Sequence, residues 1–503
     1  MNFYEFFVNH FKLVLPELYI LFVGLFLLMF GSFFCSMKKY DYPVLVREFN
    51  YLILLSLFFS MILILNNPIE EGVIFNDLFI CNFYTSTIKF ILLLATFCTI
   101  SISFNYLKKE GITTYEYNVL LLLSLFGMMC FISANDLISI YLAIEIQSLA
   151  FYILAGYKKS SAFSTEAGLK YFILGAFSSG LILFGISLIY GFTGTTNFEI
   201  LAKLLIDISD VNIGYLSFIE YNNRLVLGIL FLAIGFLFKL AVVPFHMWSP
   251  DVYEGAPTSV TALFAIVPKL GIGAILVKLF FFVFYDLIST WQNLMLYCGL
   301  LSVVVGTFSA LYQKKIKRFL AFSSISQMGY VLLALSTGTL EGAQSVLFFL
   351  VLYVLMSVNI WAVVLSLEIQ GKRIVYITDL QGLSQNHNFL AFIILINLFS
   401  MAGIPPLAGF YAKFFVFYSL IESSFYMVAV LCIALTLFSA FYYVKFVKIM
   451  FFEKSSNSFV YTQSLDYLKS IVLSISFLTI VFMFIQPNIL YILVQNIVFS
   501  LYV

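Results

Sequence analysis

Residues 230–257 read LFLAIGFLFKLAVVPFHMWSPDVYEGAP, and this stretch decides the fold. An apolar run carries Lys239 and then meets Pro244, Pro250, Gly255 and Pro257 in one turn-rich segment. An ionisable side chain at mid-bilayer costs about 2.5–3.5 kcal/mol on insertion scales. Proline removes a backbone donor and clashes with the preceding turn. In lipid, such a break survives only where protein or water satisfies the freed groups. The stretch therefore reads as a broken membrane helix with a charge beside its break. A second stretch, SMAGIPPLAGFYAK at 400–413, repeats the pattern with Gly403, Pro405, Pro406 and Gly409 leading to Lys413.

Composition supports the membrane reading. The 503 residues are 62% hydrophobic and only 10% charged, against about 25% charged in an ordinary soluble domain. So little charge cannot cover a soluble surface of this size. The net charge of +1 and the lack of a basic tail give no sign of a nucleic-acid partner. Six cysteines without a CxxC pair, and three widely spaced histidines, argue against a metal site. The 60 phenylalanines and 32 tyrosines are a compositional bias, so no single aromatic is read as a cofactor platform. There is no Walker loop and no dinucleotide fingerprint, so ions or protons are the expected cargo.

About fourteen apolar runs are long enough to span a bilayer. They centre near Leu25, Leu57, Leu93, Leu123, Ile146, Ala176, Leu232, Leu270, Leu300, Val331, Leu355, Phe399, Ala434 and Ile480. The stretch from Asn197 to Asn223, with Asp207, Asp210 and Glu220, reads as a polar connector. Connectors alternate in charge. One set holds Lys38, Lys39 and Arg47; Lys108 and Lys109; Lys158 and Lys159; Lys314, Lys315, Lys317 and Arg318; Lys372 and Arg373; Lys445, Lys448 and Lys454. The other set is acidic or bare, with Glu70, Glu71, Asp136, Asp286, Glu341 and Glu422; Lys203 and Arg224 are its exceptions. The positive-inside rule places the first set in the cytoplasm or matrix, and an even span count places both termini on the other side. The fold expected is an all-α polytopic membrane protein. The two breaks lie about five spans apart, and an odd offset inverts the second copy. This predicts two inverted five-helix repeats over 115–283 and 287–452, after three N-terminal spans in 1–110 and before a C-terminal helix in 466–503.

Two further charges lie deep in apolar runs: Glu145 in SIYLAIEIQSLAFYIL (139–154) and Lys269 in ALFAIVPKLGIGAIL (262–276). Lys170 and Lys278 are nearer span ends. One account is a structural Glu–Lys pair with snorkelling lysines. The other is a proton relay, because burial and a partner make each charge sensitive to small movements of the other. Four such charges on four helices favour the relay. His246, just past the first break, is either a proton-handling group or a packed ring at the membrane surface.

The same residues carry a resemblance. Segments 135–180, 238–269, 315–330 and 401–417 resemble helices five and six, seven and eight, ten, and twelve of the subunit 2 family of proton-pumping NADH:ubiquinone oxidoreductase, respiratory complex I. KKYDYPVLVRE at 38–48 and the general wording are similar to the mitochondrially encoded type of plants and protists. The resemblance implies an antiporter-like subunit that translocates protons, coupled to quinone reduction elsewhere in the complex. It implies no redox centre, nucleotide, metal or cofactor site in this chain. NADH, FMN, iron–sulfur clusters and ubiquinone would belong to other subunits, with phospholipid bound to this one. The family's relay charges fall on Glu145, Lys239, Lys269 and Lys413, with Glu145 and Lys239 as a charge pair. Many relatives carry a histidine where this chain has Gln327, which can hold water but cannot titrate. The expected partners are other membrane-arm subunits and the lipid bilayer. The expected location is the mitochondrial inner membrane, with both termini on the intermembrane-space side. The alternative is a subunit of an Mrp-type cation/proton antiporter, which shares the motif at 238–269.

Overall fold

The computed structural model describes residues 10–34, 46–67, 71–112, 114–210, 215–369, 372–453, 460–462 and 466–501. Lys38, Lys39, Glu70 and Lys454 lie outside these residues, as do the side chains of Arg47, Asp207, Asp210, Glu220 and Lys372.

Helices dominate because a chain in lipid must satisfy every backbone N–H and C=O internally. The first six are α1 (Leu15–Phe34), α2 (Val46–Leu65), α3 (Phe83–Lys109), α4 (Tyr115–Ser133), α5 (Leu137–Ala155) and α6 (Ala162–Thr193). A short helix α7 (Phe198–Asp210) precedes α8 (Tyr215–Leu240), α9 (Trp248–Gly255) and α10 (Thr258–Lys278). The second half holds α11 (Ile288–Tyr312), α12 (Ile316–Leu335), α13 (Leu340–Val364), α14 (Asn388–Ala402), α15 (Ala408–Glu422) and α16 (Tyr426–Phe452). The chain closes with α17 (Tyr467–Ile485) and, past Pro487, α18 (Asn488–Phe499).

Each of the apolar runs falls on a helix. Among the described residues, 12 helices are long and apolar enough to cross a membrane. The 26-residue α8 and the interrupted pair α14 and α15 account for the remaining two runs. The connector at 197–223 is itself largely helical, holding α7 and the start of α8. In α7, Phe198, Leu201 and Leu205 recur at helical spacing and are buried, so that face packs against the molecule.

Helix α10 is the centre of the molecule. It packs against α3, α4, α5, α8, α9, α12 and α13, and every one of its residues is buried. By contrast, α1, α16 and α17 keep many large apolar side chains exposed, as lipid-facing helices should. Strand content is confined to connectors: a hairpin pairs Gly72–Ile74 with Phe79–Cys81, and Leu367–Ile369 pairs antiparallel with Lys372–Arg373 and with Val460–Thr462.

The described lysine-rich connectors gather on one face, tied by ion pairs. Glu110 binds both Lys158 and Arg373, the latter at 2.6 Å. Lys109 meets Glu368 at 2.6 Å. On α9, Glu254 holds Lys315 and Arg318, and Asp251 holds Arg318 at 2.8 Å and Lys170 at 2.9 Å. The other connectors meet on the opposite face. There Asn197 Nδ2 donates to Asp77 O at 3.2 Å, Thr196 donates to Asp136 at 2.6 Å, and Asn82 Nδ2 donates to Ser500 O at 3.2 Å. His10 accepts from Phe75 N on this same face.

Candidate functional site

Both broken helices end in the same way. At the end of α8, Ala241 takes the left-handed conformation (φ 61°), its N–H reaches Phe238 O at 3.0 Å, and Val242 N–H reaches Leu237 O at 3.1 Å. At the end of α14, Gly403 does the same (φ 86°), with Gly403 N–H to Ser400 O at 2.9 Å and Ile404 N–H to Phe399 O at 3.1 Å. Each is a Schellman-type cap. Such a cap fixes the stop but leaves later carbonyls to be satisfied by other groups. The C-terminal end of a helix also carries partial negative charge, which favours a cation.

Lys239 lies in the last turn of α8, at that negative pole. Its ammonium donates to Tyr152 Oη at 3.4 Å and stands 5.7 Å from the ring centroid. Tyr152 lies on α5, seven residues after Glu145, and packs edge-on against Tyr171. Gly175 makes room for it, since a Cβ there would collide with the phenol ring. Trp248 Nε1 donates to the same Phe238 carbonyl that Ala241 N–H caps, at 2.9 Å, and so ties the following turn to the helix end. Glu145 makes no ion pair with Lys239. It is half-buried on α5, and its Oε1 is covered with no hydrogen-bond partner.

Lys269 follows Pro268 inside α10. Proline supplies no N–H for the Phe264 carbonyl four residues earlier. Tyr253 Oη donates to that carbonyl instead, at 3.3 Å. Tyr353 Oη donates to Ala265 O at 2.9 Å and accepts from Lys269 Nζ at 3.3 Å. The lysine thus sits between two tyrosine rings, 5.8 Å and 5.4 Å from their centroids. A cavity of ≈ 20 Å³ has both Lys239 and Lys269 on its walls, together with Gln147, Ser148, Tyr171 and Tyr253. That volume holds one water, and its polar lining offers the partners a water needs.

Lys413 serves the second break from across it. Its Nζ donates to Ala402 O, the last carbonyl of α14, at 2.7 Å. Gln327 Nε2 donates to the neighbouring Met401 O at 3.2 Å. The two side chains together satisfy the end of the half-helix. Gly409 lets α15 start against α14, because a Cβ there would strike the Ser400 carbonyl. The Tyr330 ring lies 5.2 Å from the ammonium. The hydroxyls of Tyr330, Tyr442 and Tyr443 are buried without a hydrogen-bond partner.

The structure therefore brings Lys239 and Lys269 to one cavity, sets Glu145 outside it, and places Lys413 at a separate break. His246 is buried with an unpartnered Nδ1 and does not line the cavity. Lys170 belongs to the surface network with Glu166 and Asp251. Other buried charges drew little or no notice in the sequence. Lys278 is buried and donates to Ala134 O at 2.6 Å. Lys89 on α3 pairs with Glu17 on α1, both buried. Among the described residues, no three His, Cys, Asp or Glu side chains gather as a metal site would require.

A family model described as "NADH:quinone oxidoreductase/Mrp antiporter, TM" matches residues 134–439, a span that contains all four relay candidates. NADH-ubiquinone oxidoreductase chain 2 of Marchantia polymorpha is 45% identical over 492 residues, covering 97% of this chain and 98% of the relative. The chain belongs to the NADH-ubiquinone oxidoreductase chain 2 family. Among bacterial relatives of this chain 2 family member, NADH-quinone oxidoreductase subunit N of Paramagnetospirillum magneticum is 42% identical over 446 residues, covering 89% of each chain. A chain of respiratory complex I from Thermus thermophilus superimposes with a TM-score of 0.76 at 25% identity, covering 95% of this chain and 98% of that one. A chain of the Mrp complex from a Dietzia species gives a TM-score of 0.80 at 18% identity, covering 97% and 98%, a likeness of fold alone. The sequence resemblance to subunit 2 is thus upheld over nearly the full chain, and the Mrp alternative has the weaker support.

Proposed function

We propose that this chain carries protons across the membrane as an antiporter-like subunit of NADH-ubiquinone oxidoreductase, using Glu145, Lys239, Lys269 and Lys413, with quinone reduction elsewhere in that complex as the driving reaction. The observation that supports this most is the cavity shared by Lys239 and Lys269. One water there would join two amines that otherwise bond only to tyrosines, and a proton moves readily along such a chain. Family membership supports the coupling to NADH oxidation. NADH, FMN, iron–sulfur clusters and ubiquinone then belong to other subunits, and phospholipid covers the exposed faces of α1, α16 and α17.

The proposal extends to the surroundings. The lysine-rich face lies in the mitochondrial matrix and both termini lie on the intermembrane-space side, as the positive-inside rule requires. Neighbouring membrane-arm subunits, including other antiporter-like chains, are the partners. The repeats at 115–283 and 287–452 are two inverted copies, a reading supported by the matching caps at Ala241 and Gly403.

Lys239→Gln in the assembled complex tests the relay. The expected result is normal assembly with a fall of about tenfold or more in coupled turnover or proton yield. A purely structural role predicts the reverse, with assembly disturbed and full proton yield in whatever assembles. The Mrp-type reading has its own check. Mild detergent extraction should recover the chain in a very large NADH-oxidising assembly; a small assembly without that activity would favour a cation/proton antiporter.

A further inference from the structure

Pro268 deprives α10 of one backbone N–H, and two tyrosines from other helices take up the carbonyls beside it. Tyr253 of α9 donates to Phe264 O at 3.3 Å, and Tyr353 of α13 donates to Ala265 O at 2.9 Å. A carbonyl can only accept, so each phenol proton is committed to the backbone. Both hydroxyls lie in the buried interior, beside Lys269.

The same Tyr353 oxygen takes a hydrogen bond from Lys269 Nζ at 3.3 Å, the one side-chain bond of that amine among the described residues. With its own proton spent on Ala265 O, the phenol can accept from the lysine and cannot donate to it. The Tyr253 proton is held in the same way by Phe264 O. An ammonium carries three N–H donors, and loss of one proton leaves an amine with two donors and a lone pair. One donor stays on Tyr353 in either state. The proton that leaves, and the lone pair that replaces it, must therefore point away from this tyrosine. The space on offer is the ≈ 20 Å³ cavity that Lys269 and Lys239 line and Tyr353 does not. The tyrosine thus holds the lysine from outside the cavity into which the lysine opens.

We propose that Tyr353 is the positioning residue for proton transfer at Lys269: fixed as a donor to Ala265 O, its hydroxyl turns the exchangeable position of the amine toward the cavity shared with Lys239. This rests on the proton-carrying reading above. In the transfer, one Lys269 N–H bond breaks and an O–H bond forms on the cavity water, with the electron pair staying on nitrogen. Return of a proton from the water reverses both changes. Tyr353 neither gains nor loses a proton, so it directs the relay without being a member of it.

The test is a double-mutant cycle of Tyr353→Phe and Lys269→Gln, each variant in the assembled complex in sealed native-membrane vesicles. Phenylalanine keeps the ring and removes only the hydroxyl. Y353F alone is expected to assemble and to lose about fivefold in coupled turnover, the worth of one hydrogen bond. In the K269Q background it is expected to cost nothing further, because the group it positions is gone. An equal fractional loss in both backgrounds would make Tyr353 a backbone cap alone and overturn the proposal. If K269Q impairs turnover while Y353F matches the wild type, the positioning role is overturned and the relay stands. If K269Q itself keeps wild-type turnover and proton yield, both readings fall. Should Y353F fail to assemble, Y353W takes its place in the cycle, since an indole N–H can donate to Ala265 O but accepts nothing from the lysine. A loss seen only where Lys269 is present then supports the proposal, and wild-type turnover or an equal loss in both backgrounds overturns it.

Discussion

Gln327 shows what a single side chain does at a broken helix. Its amide closes the Met401 carbonyl while Lys413 closes the next one, so the position needs a donor and need not titrate. A histidine ring N–H could make the same bond. Gln327→His is therefore expected to assemble and to turn over like the wild type. Gln327→Leu leaves a buried carbonyl unpaired, at a cost of about 1–3 kcal/mol. Thermal unfolding of the purified complex should register that loss, and equal stability of the two variants would contradict the capping role. The mid-span lysines were legible in the sequence because each interrupts an apolar run and two stand beside proline-rich breaks. Their partners were not. Tyr152 and Tyr353 are two of 32 tyrosines, and nothing local marks them as the groups that hold Lys239 and Lys269.

At the scale of elements, the N-terminal helices are held by a buried charge pair. Glu17 and Lys89 stand 72 residues apart in sequence, so no local spacing connects them. Each alone reads as a charge near a span end. Removing one partner from a buried pair costs about 3–5 kcal/mol, whereas replacing both with apolar groups is often neutral. Lys89→Met should thus lower the recovery of assembled complex, and E17M/K89M should restore most of it. A double variant as impaired as the single one would show that the pair has a role other than docking α1 on α3. The helical packing of α7 within its connector was hidden for a related reason. Its apolar side is only three residues wide, too little to stand out as a run but enough to cover a neighbour.

Across the whole molecule, the alternation of connector charge translates into one face bound together by ion pairs. That outcome was legible because topology, rather than any specific contact, sets it. The particular pairs were not, since Glu110, Lys158 and Arg373 come from three distant connectors. Burial alone pushes the Glu110 carboxyl up, but the adjoining Lys158 and Arg373 outweigh it and hold the group below its ordinary value of 4.5. A depressed carboxylate contributes its stability above the unfolded-state value and loses it as pH falls through the folded one. Lowering pH below about 4.5 should accordingly loosen the lysine-rich face. Thermal melts of the purified complex across that range would display the loss, and Glu110→Gln should flatten its acid limb. An unchanged acid limb in that variant would remove Glu110 from the account.

The two capped breaks have an electrical consequence. Helix α8 rises from the bare face toward the lysines and α14 descends from the lysines toward the bare face, so their negative poles point in opposite directions across the membrane. A transmembrane voltage, worth about 2.3 kcal/mol per elementary charge per 100 mV over the full thickness, adds to the field of one pole and subtracts from that of the other. The two breaks thus present their negative poles to the membrane field from opposite sides, one opposed by a voltage that reinforces the other.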